Sequence, residues 1–220
     1  MEKFIQIAID GPAAAGKSTI AKILAKQIGF VYVDTGAMYR AITWAAINTD
    51  TDVDDEILLR SLLDKTDILL YPGGIVCVND VDVTNEIREP LVTALVSKIA
   101  AYEAIRSELK MRQVKLAKTA NVIMDGRDIG TNVLPDADYK FFMVADARIR
   151  AMRRYKENIA RGIESDLDLL ETEIKKRDEM DENRQHSPLK KADDAILIDT
   201  SEMSIDEVVK TMAAYVNDLT

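Results

Sequence analysis

The stretch Gly11-Pro12-Ala13-Ala14-Ala15-Gly16-Lys17-Ser18-Thr19 decides the fold of this 220-residue chain. It matches the pattern G-x-x-x-x-G-K-[ST], which indicates a phosphate-binding loop when a strand precedes it and a helix follows it. That context is present, because residues 4–9 form an apolar run and residues 20–28 have a helical pattern. Gly11 and Gly16 permit a tight turn in which backbone N–H groups point at a phosphate, and the N-terminus of the helix adds partial positive charge. The stretch therefore predicts a nucleoside triphosphate site.

Two side chains of this loop indicate how the phosphates are bound. We expect the ammonium group of Lys17 on the β- and γ-phosphates, and the Ser18 hydroxyl is a candidate Mg²⁺ ligand. The alternative is a glycine-containing turn in front of an amphipathic helix. The agreement of strand, loop, lysine, hydroxyl and helix favours the phosphate loop.

The composition excludes several other classes of protein. The net charge of -9 argues against a large nucleic-acid surface built from lysine and arginine. The one cysteine, Cys77, cannot form an intrachain disulfide, which fits a reducing cytoplasm. The sequence shows no signal peptide, and no apolar run approaches the roughly 20 residues that cross a bilayer. We therefore expect a cytoplasmic protein with no nucleic-acid or membrane partner.

Apolar runs alternate with helical patterns along the chain, which is typical of a doubly wound α/β fold. The five strands expected in its parallel sheet cover residues 4–9, 30–33, 121–125, 139–144 and 195–199. Turn signals at 72–74 and 79–80 separate short apolar stretches and predict a small antiparallel β insertion over residues 66–84. Helices over residues 85–100 and 102–119 are expected to follow it.

Polar side chains follow two of the expected parallel strands. Thr35 and Arg40 come after residues 30–33, and Arg127 and Asp128 come after residues 121–125. The carboxyl ends of parallel strands are where α/β folds bind ligands, and the planar guanidinium group suits phosphate. The alternatives are a capped helix with a solvent-facing arginine and a charged turn with an internal ion pair.

An arginine-rich helix is expected over residues 146–158, and Arg161 lies just beyond it. Its arginines are Arg148, Arg150, Arg153 and Arg154. Arg150 and Arg154 are four residues apart and so share one face of the helix. This pattern predicts a mobile lid that closes arginines onto a triphosphate. The alternative is a solvated basic face paired with the acidic residues of 164–168.

Phosphoryl transfer fits this arrangement. The reaction needs two phosphates in line, neutralised charge and exclusion of water. The loop would hold the donor, and Arg40 and Arg127 would hold an acceptor monophosphate. Because an acceptor phosphate oxygen is already an anion, the reaction needs positive charge rather than a strong general base. The only histidine, His186, therefore receives no catalytic role.

From residue 4 to about residue 215 the chain resembles the bacterial cytidylate (CMP) kinases. The motifs that carry the resemblance are Ile9 to Thr19, Asp34-Thr-Gly-Ala-Met-Tyr-Arg40, Asp82-Val-Thr with Ile87-Arg88, Val96-Ser-Lys-Ile-Ala-Ala101 with Arg106, Asp125-Gly-Arg-Asp-Ile-Gly-Thr131, and Arg177-Asp with Asp181 and Arg184. The β insertion is the additional piece of the bacterial members. The resemblance implies transfer of the γ-phosphoryl group of ATP to CMP or dCMP, with Mg²⁺, by a monomer.

The resemblance also implies roles for individual residues in substrate binding. Those expected to bind the CMP phosphate are Arg40, Arg127 and Arg184. Those expected to recognise the cytosine are Ser97, Arg106 and Asp128. Asp181 would hold the ribose, and Thr35 would lie near the acceptor. Without the resemblance, Ser97 with Arg106 and Asp181 with Arg184 would be interpreted as surface polar pairs on helices.

Further roles on the donor side follow from the same resemblance. Arg150 and Arg154 would be lid arginines on ATP, and Lys17, Arg127 and Arg154 would be the catalytic cations. The core would comprise residues 1–35, 120–147 and 167–220, the acceptor-binding region residues 36–119, and the lid residues 148–166. Ala14 stands where the family often has glycine, which is tolerated if its φ is negative.

Cytosine chemistry fits the expected recognition site. Cytosine has an amino donor at N4 beside acceptors at N3 and O2. A carboxylate at Asp128 suits the donor, and a cation at Arg106 suits an acceptor. Uracil has an acceptor at position 4, so the carboxylate disfavours UMP, and an unmatched buried polar pair lowers kcat/KM by orders of magnitude.

Three alternatives remain at this stage. One is another kinase with the same loop that acts on AMP, UMP or a small alcohol such as shikimate. The second is a nucleotide switch of the GTPase class, against which the absence of an Asn-Lys-x-Asp motif counts. The third is a regulator that binds ATP without catalysis, against which the intact Lys17 and Ser18 and the candidate arginines count. Turnover that depends on an acceptor would distinguish a kinase from a switch.

Overall fold

The structure, a computed structural model, describes residues 3–160 and 162–216. Arg161 lies outside the described residues. The strands are β1 Gln6–Asp10, β2 Val31–Asp34, β3 Ile68–Tyr71, β4 Ile75–Val78, β5 Val81–Asp82, β6 Val122–Gly126, β7 Tyr139–Val144 and β8 Ile196–Asp199. The α-helices are α1 Lys17–Ile28, α2 Thr35–Asn48, α3 Glu56–Asp64, α4 Pro90–Ile99, α5 Glu103–Ala117, α6 Ala147–Ala160, α7 Leu167–Asn183 and α8 Ile205–Val216.

A five-stranded parallel sheet forms the centre of the molecule, in the order β2-β6-β1-β7-β8. The central strand β1 is buried on both faces, since Ile7, Ala8 and Ile9 are fully inaccessible to solvent. Such continuous apolar runs are expected where helices cover both faces of a parallel sheet. The predicted fold class and its five strands are confirmed.

Two apolar clusters hold the helices against this sheet. On one side α1 and α8 pack on β1 and β7 through Leu24, Phe141 and Met212. On the other side Val33, Met124 and Leu134 belong to a smaller cluster. Because α1 begins directly after the phosphate loop, its packing against the sheet and α8 fixes the position of the loop.

A third apolar cluster lies within residues 37–109 and joins α2, α3 and α5 to the β insertion. Its fully buried members include Ile42, Leu59 and Ile105. The insertion is the predicted antiparallel sheet, with Ile68 opposite Val78 in the β3–β4 pair. The division of the chain into core, acceptor-binding region and lid stays a prediction.

The helix predicted over residues 85–100 begins later than expected. A single 3₁₀ turn covers Glu86–Arg88, and α4 starts only at Pro90. Glu89 has extended backbone angles (φ -62°, ψ 154°), as expected for a residue that precedes proline. The turn places Arg88 so that it donates to the Asp34 carboxylate at 3.1 Å.

None of the helices in residues 3–160 and 162–216 combines the length and the apolar composition that crossing a membrane requires.

Candidate active site

A cavity of about 740 Å³ opens at the carboxyl ends of β2 and β6, beside the phosphate loop. It brings together most of the residues that the sequence singled out. Those lining it are Ala13, Ala14, Ala15, Gly16, Lys17, Ser18, Thr19, Thr35, Arg40, Ser97, Arg106, Arg127, Asp128, Arg154, Asp181 and Arg184. Gly11, Pro12 and Arg150 do not line it.

The phosphate loop depends on glycine at its two ends. Gly11 has φ 147°, and a Cβ atom there would lie 2.1 Å from the carbonyl oxygen of Met143. Gly16, at φ 89°, is the N-cap of α1. The condition placed on Ala14 is not met, because its φ is 59°. Alanine therefore occupies a left-handed conformation that favours glycine.

Lys17 points into its own loop. Its side chain is buried, and Nζ donates to the carbonyl oxygen of Pro12 at 2.7 Å. Burial, reinforced by the charge of Arg127, lowers the pKa of Lys17 to about 7. A triphosphate bound to the loop would supply the negative charge that favours the ammonium form.

The Ser18 hydroxyl donates to Oδ2 of Asp125 at 2.9 Å, and the Tyr32 hydroxyl donates to Oδ1 at 2.7 Å. Burial and the nearby Asp34 raise the pKa of Asp125 to about 6. A hydroxyl beside a carboxylate is the oxygen chemistry that Mg²⁺ prefers. In the described ranges no cluster of three or more His, Cys, Asp or Glu side chains could hold a metal ion.

Arginines converge on the middle of the cavity. Arg40 donates to the carbonyl oxygen of Ile87 at 3.1 Å and to the Thr93 hydroxyl at 2.8 Å. Burial and then the charge of Arg177 lower the pKa of Arg40 to about 9. Burial and then the charge of Arg127 lower the pKa of Arg177 to about 10. Mutual repulsion of this kind favours binding of an anion among these groups.

Arg127 and Asp181 form a partly buried ion pair in which Nε lies 2.8 Å from Oδ2. Burial opposes ionisation of Asp181, but the charges of Arg127 and Arg177 hold its pKa below its usual range. Arg127 also donates to the carbonyl oxygen of Gly126 at 3.3 Å. The pair aligns Arg127 at the end of β6, where the remaining guanidinium N–H groups can take a ligand.

Asp128 lines the cavity and accepts hydrogen bonds from several donors. Oδ2 accepts from Arg106 and from Asn132, the latter at 2.9 Å, and Oδ1 accepts from Arg184 at 3.2 Å. The Arg106 guanidinium also lies over the ring of Tyr39, 5.6 Å from its centroid. Arg184 therefore lies beside residues expected to recognise the base, and its guanidinium group also lies 4.0 Å from Oδ1 of Asp181, the partner of Arg127. The contact of Arg184 with the acceptor phosphate stays a prediction.

Arg150 lies in a different place from the one expected. It was expected to face ATP from the lid, but it is buried, and its guanidinium group donates to Ala13 O at 3.0 Å and Ala145 O at 2.9 Å. It also pairs with Asp178 at 2.6 Å. The arginines of α6 that do line the cavity are Arg153 and Arg154. Arg150 and Arg154 therefore share a helical face but have different surroundings, since Arg150 bonds to the backbone of the loop and Arg154 lines the cavity.

Known proteins decide the family. A sequence profile of the cytidylate kinases matches residues 7–218. The chain belongs to the cytidylate kinase family. It is 55% identical over 210 residues to the cytidylate kinase of Listeria innocua, covering 94% of each chain, and 53% identical over 221 residues to that of Geobacillus sp. strain WCH70, covering 99% of each.

Among solved structures, the chain is similar to an uncharacterized protein from Eubacterium ventriosum, with a TM-score of 0.54 and 15% identity over 99% of both chains. A likeness at that identity supports the fold alone. As a member of the cytidylate kinase family, the protein is a kinase that acts on nucleotides.

Sequence reasoning gave no role to two residues of this cytidylate kinase cavity. Arg177 lines the cavity and is partly buried, and within the described residues its buried Nε atom has no hydrogen-bond partner. Its position four residues before Asp181 placed it on the same helix face, which was the available signal. Asp125 ends an apolar run, where this class of kinase often has a carboxylate near Mg²⁺.

Proposed function

We propose that this protein transfers the γ-phosphoryl group of ATP to CMP or dCMP, which gives ADP and CDP or dCDP. The observation that carries the proposal is the composition of one continuous cavity. The phosphate loop, the ion-paired cluster of Asp128, Arg106 and Arg184, and the further arginines Arg40, Arg127, Arg154 and Arg177 all line this one cavity. Membership of the cytidylate kinase family supports cytosine as the base.

The donor would bind at the phosphate loop. Lys17 would leave Pro12 O and bind the β- and γ-phosphates, and the N–H groups at the start of α1 would face the same oxygens. Ser18 and Asp125 would hold Mg²⁺ directly or through water. When bound, Mg²⁺ neutralises charge on the β- and γ-phosphates. Arg154 and its neighbour Arg153 would approach from α6.

The acceptor would bind between the arginines and Asp128. Arg40, Arg127 and Arg177 would bind the monophosphate. Burial and mutual repulsion lower the pKa values of Arg40 and Arg177, which a bound anion would reverse, and Asp181 holds Arg127 in place. Asp181 would accept a hydrogen bond from a ribose hydroxyl, and Thr35 would line the same cavity near the acceptor. Asp128 would accept a hydrogen bond from the N4 amino group. Ser97, Arg106 and Arg184 would lie beside the N3 and O2 acceptors of the base.

The transfer itself needs no proton acceptor. An oxygen of the acceptor monophosphate attacks the γ-phosphorus in line, the bond from that phosphorus to the β-bridging oxygen breaks, and ADP leaves with the electron pair. Charge on the equatorial oxygens is stabilised by the cations already present. Water must be kept out so that the phosphoryl group reaches CMP, which the lid expected over residues 148–166 would accomplish by closing.

The deciding experiment measures ADP formation from Mg·ATP with CMP, dCMP, UMP or AMP, and with no acceptor. Rapid turnover with CMP and dCMP and slow turnover with UMP would support the proposal. Preference for AMP or UMP would keep the kinase and remove the roles of Ser97, Arg106 and Asp128. Turnover that needs no acceptor would favour a nucleotide switch instead.

The proposal extends to the state of the protein in the cell. We expect a monomer that works in the cytoplasm without nucleic-acid or membrane partners. The acidic net charge of -9 and the single Cys77 support this setting. Light scattering coupled to gel filtration would test the monomer, for which the mass is 24.5 kDa.

A further inference from the structure

Both backbone polar groups of Ala13 are bonded to helices that lie outside the phosphate loop. The Ala13 N–H donates to Oδ1 of Asp178 at 3.2 Å, and the Ala13 carbonyl oxygen accepts from the Arg150 guanidinium at 3.0 Å. The same guanidinium nitrogen lies 2.6 Å from Oδ2 of Asp178, which closes the arrangement. We call these three residues the Ala13 clamp.

The clamp joins the loop to the two helices that carry cavity arginines. Arg150 lies near the start of α6, one turn before Arg153 and Arg154, which line the cavity. Asp178 lies on α7 directly after Arg177, which lines the cavity too. A shift of the loop relative to either helix would therefore stretch or break a clamp bond. The clamp in this way opposes a change in the distance between the loop and the cavity arginines.

Stability alone is a weak reason for this arrangement. Arg150 and Asp178 are 6% and 9% exposed, so both charges lose most of their hydration. Apolar side chains of similar volume often stabilise a fold as well as a buried ion pair does. Apolar side chains could not satisfy the N–H and carbonyl groups of Ala13, which is itself buried. The ion pair therefore has a function that apolar side chains could not take over, which is to hydrogen-bond the backbone of Ala13.

We propose that Arg150 and Asp178 are positioning residues that hold Ala13 at a set distance from the arginines of α6 and α7, so that loop and arginines bind one chain of phosphates together. This inference rests on the proposed use of the loop for ATP. It replaces a direct contact between Arg150 and ATP with an indirect effect through the loop. Neither residue would touch the acceptor.

The test compares the affinity for ADP with the affinity for CMP, each measured alone by calorimetry. Arg150→Gln and Asp178→Asn should each weaken ADP binding about tenfold or more, as misplaced binding groups do, and leave CMP binding within about twofold. Hydrogen exchange at the Ala13 amide should become faster in Asp178→Asn. Arg150→Lys keeps a donor and should recover part of the ADP affinity.

Arg148→Ala is the matched control. Arg148 also bridges α6 to α7, through Asp168 and Glu171, but it is exposed and does not contact the loop. Its loss should leave both affinities unchanged. If Arg150→Gln does not fold, Arg150→Lys and Asp178→Asn carry the same comparison.

Two results would overturn the proposal. One is an equal loss of ADP and CMP affinity in the clamp variants, which would indicate general damage to the fold. The other is unchanged ADP affinity with a lower melting temperature, which would make the pair purely structural. Because the readout is ADP binding and not turnover, a wild-type protein that binds ADP but does not phosphorylate CMP would disprove the proposed function separately.

Discussion

Ala14 adopts a left-handed backbone conformation within the loop that binds phosphate. Its φ is 59°, and its side chain is only partly buried. The left-handed region costs a non-glycine residue about 1–2 kcal/mol, whereas glycine loses about 0.5–1 kcal/mol in backbone entropy on folding. The loop therefore stores strain that a glycine would remove.

We expect Ala14→Gly to raise the free energy of unfolding by about 0.5 kcal/mol, the difference between those two effects. Urea denaturation measures this change. The neighbouring Ala13 is buried and does not have positive φ, so Ala13→Gly is the control and should destabilise the protein. A less stable Ala14→Gly protein would contradict the account of strain.

Lys17 predicts a pH dependence of nucleotide binding. Its pKa in the unliganded protein is lowered to about 7, first by burial. Bound phosphates raise it again, so a group that is largely neutral above this pH takes up a proton on binding. Affinity for ADP should therefore fall as the pH rises above about 7.

Calorimetry at about pH 8 in two buffers of different ionisation enthalpy measures the proton uptake, since an unperturbed lysine would stay charged there. Lys17→Met should abolish the uptake. Equal heats in the two buffers for the wild-type protein would show that Lys17 is already charged in the unliganded loop.

Arg127 predicts a difference between kcat and KM. It lies at the end of β6, held by Asp181, where charge would develop on the transferred phosphoryl group. Interactions made mainly in the transition state lower kcat when removed. We expect Arg127→Ala to lower kcat by about 100-fold or more, with a much smaller rise in the KM for ATP. Steady-state kinetics measure both, and an unchanged kcat would remove Arg127 from this role.

At the scale of the elements, α8 supports the phosphate loop indirectly, through α1. It packs against α1, which starts at the loop. Its N-terminus has a capping box, since the Ser204 hydroxyl and backbone N–H both donate to Glu207 Oε2, at 2.7 Å and 2.8 Å. Ser204 and Glu207 do not line the cavity themselves, although their neighbours Met203, Ile205 and Val208 do.

Ser204→Ala should lower the free energy of unfolding by about 1 kcal/mol, the usual effect of losing a serine cap. The kcat and KM values at 25 °C should not change. Thr211→Ala is the control on the same helix, because its hydroxyl bonds to the Glu207 carbonyl in mid-helix and caps nothing. Since alanine favours a helix more than threonine does, a loss as large in Thr211→Ala would show that removal of any hydroxyl from this helix, and not the lost cap, lowers the stability.

For the whole molecule, an acidic surface surrounds a cationic cavity. The net charge is -9, yet Lys17 and Arg40 are buried, and Arg127 and Arg177 partly buried, around one space. Two phosphate-bearing ligands can neutralise these cations together. Donor and acceptor sites in one cavity also predict that a ligand spanning both binds more tightly than either part.

A compound that joins adenosine and cytidine through five phosphates should bind about 100-fold or more tightly than ADP, because the second binding step is intramolecular. Calorimetry or displacement of a fluorescent ADP measures this affinity. The analogue with uridine in place of cytidine is the control for recognition of the base. Equal binding of the adenosine–cytidine compound and ADP would contradict one continuous cavity.

Much of the fold could be predicted from local patterns. The β7 strand was predicted to the residue, and β1, β2, β6 and β8 to within two residues, because apolar runs between turn signals are local features. The start of α4 was predicted too early, since the extended residue before Pro90 was not considered. Within the site, the loop, Thr35, Arg40 and Asp128 were placed at the ends of strands by the same reasoning.

The sequence by itself determined the order of strands and helices along the chain, the phosphate loop and the candidate arginines, since each depends on neighbours a few residues apart. Only the tertiary structure decided that Arg150 bonds to Ala13, 137 residues away, and that Arg184 bonds to Asp128, 56 residues away. Helical spacing states which face a side chain shares, but not what packs against that face. The partners of a buried charge are set by packing, because burial requires a polar partner wherever the fold supplies one.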